Sequence, residues 1–98
     1  MPIYIALSKR TEQCAKEMKG MNARREANRG MREKFGGKLL HQWFTVGEYD
    51  SITVAEYPDA QSLLKYRLWV EQQGLIQPGS LILQAYTPEE FDKALVET

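Results

Sequence analysis

The sequence predicts an α+β domain, a four-stranded antiparallel sheet with helices on one face. Three observations carry this. Runs rich in β-branched and aromatic residues occur four times, at residues 3–7, 39–46, 52–57 and 81–86, and that is strand composition. Between them, residues 22–35 and 60–73 place apolar side chains at helical spacing, as an amphipathic helix does. Gly47-Glu48-Tyr49-Asp50 joins the second strand-like run to the third. Gly47 supplies the positive φ of a hairpin turn, Asp50 a short side chain that accepts from a nearby backbone N–H, and Tyr49 a structural hydroxyl.

In the first strand, Ile3, Ile5 and Leu7 share one face and Tyr4 and Ala6 the other. Thr11 is placed to cap a short helical turn that runs to Lys19, and Gly20 interrupts it. Asn22 then caps a longer helix to Phe35. Its apolar stripe is Ala23, Ala27, Met31 and Phe35; Arg24, Arg25, Arg29 and Arg32 fall with Glu26 and Glu33 on the solvent side. Gly36-Gly37 stops it. Pro58-Asp59 closes the third strand, Asp59 capping a helix from Ala60 to Gln73 that ends at Gly74. Leu63, Leu64 and Leu68, widened by Tyr66, Trp69 and Val70, give that helix more than one packing partner. After the fourth strand, Thr87-Pro88-Glu89-Glu90 forms a capping box with proline at the first helical position. The order is strand, helix, strand, strand, helix, strand, the ferredoxin-like βαββαβ pattern, plus a short C-terminal helix.

Ninety-eight residues make a single domain, 1–98. Thirteen basic and thirteen acidic residues cancel, which argues against nucleic acid as a partner. The lone Cys14 excludes an intrachain disulfide and a thiolate metal cluster. No apolar run approaches the ~20 residues of a membrane span, and the start lacks a secretory pattern. The expectation is a cytoplasmic protein with no membrane partner. No motif names a cofactor or a metal.

Sorted by parity, one sheet face collects Ile3, Ile5, Leu7, Phe44, Ile52, Val54, Leu81 and Leu83. It is almost wholly apolar and is expected under the helices. The other collects Tyr4, Ala6, His41, Trp43, Thr53, Ala55, Tyr57, Ile82 and Tyr86. This aromatic, semi-polar face is expected to be covered by a second copy of the chain in a homodimer or higher oligomer.

Gly47-Glu48-Tyr49-Asp50, followed by Glu56-Tyr57-Pro58-Asp59, resembles the signature of the GYD domain family. Gly36-Gly37-Lys38, Gly74 and the chain length fit the same pattern. The resemblance implies a dimeric α/β-barrel form of the ferredoxin-like fold, and it assigns no catalytic residues. Arg10 stands where the family often has tryptophan, and Cys14 where it often has glycine.

Two functions fit these residues. One is a small-molecule-binding protein or enzyme, with an apolar or aromatic ligand held between the sheet and a partner subunit. Tyr4, Trp43, Tyr57 and Tyr86 would line the pocket, with His41 as its acid–base group, since imidazole exchanges a proton near neutral pH. The other is a non-catalytic oligomeric interaction protein in which the same side chains form an interface. A lone histidine among aromatics is more often packed and hydrogen-bonded.

Overall fold

The computed structural model describes residues 1–98. Its elements are β1 (Ile3–Ser8), α1 (Glu12–Lys16), a 3-10 turn (Met18–Gly20), α2 (Met21–Lys34), β2 (Lys38–Phe44), β3 (Ser51–Glu56), α3 (Ala60–Gln72), β4 (Leu81–Ala85) and α4 (Pro88–Val96). The strands form one antiparallel sheet in the order β2-β3-β1-β4. That is the expected α+β, ferredoxin-like arrangement.

The local signals explain the boundaries. Thr11, Asp59 and Thr87 each accept a backbone N–H at the start of α1, α3 and α4, and Glu90 completes the capping box of α4. Gly36 and Gly74 take positive φ just past α2 and α3, where left-handed backbone ends a helix. Gly47 has φ +145° in the β2–β3 connection. Asp50 does not close that connection through its side chain. Its carboxylate reaches back to β1's exit, accepting from the Arg10 backbone N–H at 2.7 Å and facing the Arg10 guanidinium at 3.6 Å. Thr45 closes the turn instead, its hydroxyl donating to the Tyr49 carbonyl at 2.6 Å and its backbone N–H to the Asp50 carbonyl at 2.9 Å.

The expected assignment of sheet faces is reversed for three strands. Tyr4 pairs with Ala55, and both are buried with Tyr57 against Leu63, Tyr66 and Val70 of α3. The helices therefore cover the Tyr4–Ala55–Tyr57 side. Ile3, Ile5, Leu7, Val54, Leu81 and Leu83 lie on the open side, with Leu81 and Leu83 nearly half exposed. Strand β2 carries a bulge between Leu39 and His41. Leu39 aligns with Ala55 on the covered side, whereas His41 and Trp43 align with Val54 and Ile52 on the open side. Parity within a strand fixes which residues share a face, but cross-strand register fixes which faces coincide.

Helix α2 corrects the sequence reading in the same way. Its inward residues are Met21, Arg24, Arg25, Asn28, Met31, Arg32 and Phe35, whereas Ala23 and Ala27 are exposed. Arg32 is among the most buried residues of the protein. Helix α4 makes no substantial contact with the rest of the chain. The radius of gyration, 14.7 Å, exceeds the ~13 Å of a compact chain of this length.

Candidate functional site

The helix-covered side of the sheet holds a polar chamber, and α2, α3 and three strands build it. Arg32 comes from the last turn of α2, Tyr66 and Arg67 from the inner face of α3, Tyr4 and Ser8 from β1, Thr53 from β3 and Tyr57 from just beyond it. These side chains line a cavity of about 50 Å³.

Arg32 is the centre of the bonding. Its Nε donates to the Tyr57 hydroxyl at 3.3 Å and its Nη2 to the Tyr66 hydroxyl at 2.9 Å. Its guanidinium also lies 4.6 Å from the Tyr66 ring centre, a cation–π distance. Arg67 donates to Ser80 Oγ at 2.6 Å, and Ser80 donates to Ser8 at 3.2 Å. The rings of Tyr4, Tyr57 and Tyr66 pack in series, with centroids 6.1 and 6.2 Å apart. Gly37 lets the loop after α2 pass this cluster: a Cβ there would stand 2.6 Å from the Tyr57 ring and 2.8 Å from Arg32 Cγ.

Burial pushes the Tyr57 and Tyr66 hydroxyls above the ordinary phenol range, and the Arg32 charge opposes it. Both phenols are therefore protonated at neutral pH. Burial pulls the Arg67 guanidinium down, and Glu71 opposes that.

A second cavity of about 100 Å³ adjoins the chamber and shares Asn28, Gln42, Ser51 and Ile76 with it. Arg10, Arg24, Arg25 and Asp50 stand along this outer cavity, as does Cys14. Burial raises the Cys14 thiol, the setting of an inert cysteine.

The predicted set of Tyr4, His41, Trp43, Tyr57 and Tyr86 does not come together. Tyr4 and Tyr57 lie inside under the helices. His41 and Trp43 stack on each other on the open face, centroids 5.3 Å apart and planes 13° off parallel. Tyr86 is exposed beyond the end of β4. His41 lines neither cavity under the helices. The sequence reading missed Arg32, which it sent to solvent, and Arg67. One signal for Arg32 was present: Met21, Arg25, Asn28, Arg32 and Phe35 recur at alternating spacings of four and three, a helix face with polar members. No group of three or more His, Cys, Asp or Glu side chains is placed to hold a metal ion.

The GYD signature thus sits at two structural joints. Gly47 to Asp50 fasten the hairpin to β1, and Tyr57 to Asp59 carry the chamber's tyrosine and the cap of α3. The GYD domain family profile matches residues 4–95. The chain belongs to the GYD domain family. A relative in Thermus thermophilus, named glutamine synthetase and cystathionine beta-lyase binding protein, is 28% identical over 82 residues, 83% of this chain and 86% of its own. No solved structure gives a significant match. In this GYD-domain chain no helix is long and apolar enough to cross a membrane.

Proposed function

We propose that this GYD-domain protein is a non-catalytic binding protein, assembled as a homodimer and engaging other proteins. The observation that carries the reading is the open sheet face. Ile3, Ile5, Leu7, Ile52, Val54, Leu81, Leu83 and Trp43 give it an apolar surface on all four strands. Strands of this length at the usual spacing make a face of roughly 20 by 20 Å, the size of the largest apolar patch on a typical soluble protein, and such patches are often functional. A second copy is the occupant this face fits best: the face is apolar and uncharged at its centre, and a two-fold axis would set the same surface against itself. His41, Trp43 and Tyr86 then belong to the interface. Tyr4 and Tyr57 do not.

Helix α4 supports the same reading. A nine-residue helix is marginal in water by itself. Its capping box helps, yet Phe91, Leu95 and Val96 are all more than half exposed. A partner copy gives that stripe something to pack against. Leu64 and Leu68, exposed on the outer side of α3, stay outside such a dimer and offer a contact to another protein. The name of the Thermus relative supports an enzyme as that partner.

Sedimentation at micromolar concentration tests the dimer: wild type should run as a dimer and Val54→Glu as a folded monomer. A monomeric wild type would remove the reading. Titration of glutamine synthetase purified from the same source tests the partner, with binding expected for wild type and lost in the double variant Leu64→Asp, Leu68→Asp.

A further inference from the structure

We infer that the chamber between the helices and the sheet is a binding site for a small oxyanion, a carboxylate or a phosphate, gripped by Arg32 and Arg67. The inference is independent of the dimer, whose interface lies on the opposite side of the sheet.

Arg32 and Arg67 are both buried residues, with exposures of 5% and 9%. They line the same cavity. Neither has a carboxylate within ion-pair distance; the ion pairs of the protein involve Arg10, Lys16 and Arg24. Their acceptors are neutral hydroxyls: Tyr57 and Tyr66 for Arg32, Ser80 for Arg67. Arg32 has no counter-charge and Arg67 only Glu71, beyond ion-pair distance, and buried positive charge so poorly compensated is costly. An anion bound between them removes that cost.

The donors point to oxygen acceptors on the ligand. A guanidinium carries five N–H donors. Arg32 spends one at Nε and one at Nη2, and Arg67 spends one at Nη2. No fully enclosed polar side-chain atom lacks a partner. The nitrogens that bond nothing in the protein therefore reach open space: for Arg32 that space is the chamber, and Arg67 lines both the chamber and an outer pocket beside Glu71. The Tyr57 and Tyr66 oxygens accept from Arg32, so their protons are left to donate elsewhere. Ser8 and Thr53 add neutral hydroxyls. This is a donor-rich wall with no carboxylate among the lining side chains.

Size selects among anions. About 50 Å³ is several times the ~10–15 Å³ one water needs by the same kind of measure. It admits an oxyanion of a few heavy atoms and excludes a nucleotide. The outer cavity is the path in. Arg10, Arg24 and Arg25 stand along it, Arg10 facing Asp50 and Arg24 facing Glu17, so the Arg25 charge is the one left to draw anions inward.

Thermal unfolding of the full chain tests this. Inorganic phosphate and pyruvate are titrated separately, each against sodium chloride of equal ionic strength. A saturable rise in melting temperature is expected with one probe; phosphate assigns a phosphate ligand and pyruvate a carboxylate. Arg67→Met should weaken that response by roughly ten- to a hundredfold in apparent affinity, the loss of a charge-assisted hydrogen-bonding group. Should Arg67→Met fail to fold, Arg67→Lys keeps the charge and loses the fork, and should bind more weakly than wild type. The inference is overturned if neither probe gives a saturable rise, if chloride matches them, or if a folded Arg67 variant responds as wild type does.

Discussion

The side of the sheet that the helices cover is the more polar one, and the side left open is the more apolar. Under the helices lie Arg32, Arg67, Ser8, Thr53 and three tyrosines; on the open side lie isoleucines, valine and leucines. A polar interior is stable when its groups are satisfied, and here arginines, tyrosines and serines bond one another. An open apolar face is stable when something covers it. The first face is hydrogen-bonded within the chain; the second has no cover within it. Only twelve residues of the chain are buried, so the internal core by itself leaves a thin margin.

The sharpest way to break this contrast is to empty the covered face. Tyr57→Ala removes a nearly fully buried ring and an acceptor of Arg32. It should cost about 3–5 kcal/mol, measured by urea unfolding and unchanged by protein concentration. An open-face change should behave oppositely. If two copies pair there, each tenfold dilution of wild type should cost the assembled form about 1.4 kcal/mol. Ile5→Asp should abolish that dependence while leaving the dilute protein folded.

A smaller effect concerns the turn that joins β2 to β3. Gly47→Val forces a β-branched residue to φ +145°, which should cost about 1–3 kcal/mol. Tyr49→Phe should cost less than Gly47→Val, because the Tyr49 hydroxyl makes no bond and Thr45 is held by the Tyr49 carbonyl. Equal melting temperatures for the two variants would show that the turn tolerates a side chain at position 47.

The smallest expected effect is alkaline. The folded-state values of Tyr57 and Tyr66 are raised, so the unfolded chain loses these protons first. Their contribution is complete below the ordinary phenol value near pH 10 and is lost as pH rises through the folded values. Stability should fall above about pH 10, and Tyr66→Phe should flatten the fall.

The order of elements was legible because its signals are local. Thr11, Asp59 and the Thr87–Glu90 box mark helix starts, and Gly36 and Gly74 mark ends, each through bonds or φ values within a few residues. The choice of face was not. Hydrophobicity ranks Ile5 and Val54 above Tyr4 and Thr53 for burial, and that ranking fails when the interior holds a polar cluster. The bulge at Leu39–His41 shifts the phase of β2 as well, and nothing in Leu39-Leu40-His41 announces it. Arg32 was misplaced for the same reason as Tyr4: an inward arginine looks like a solvated one until its partners, Tyr57 and Tyr66, are seen from twenty-five and thirty-four positions away.

The strand order has a consequence for how the chain is made. Strand β1 leaves the ribosome before its partners, yet it is an inner strand, paired on one side with β3 and on the other with β4. Ser8 and Leu81 are 73 positions apart, which at translation speeds of 5–20 residues per second is a wait of roughly 4–15 s. Throughout that interval β1 has at least one unpaired edge and an apolar side with no cover. Strand β1 is therefore the strand that most needs shielding during synthesis, and a mutation that slows formation of β4 lengthens its exposure.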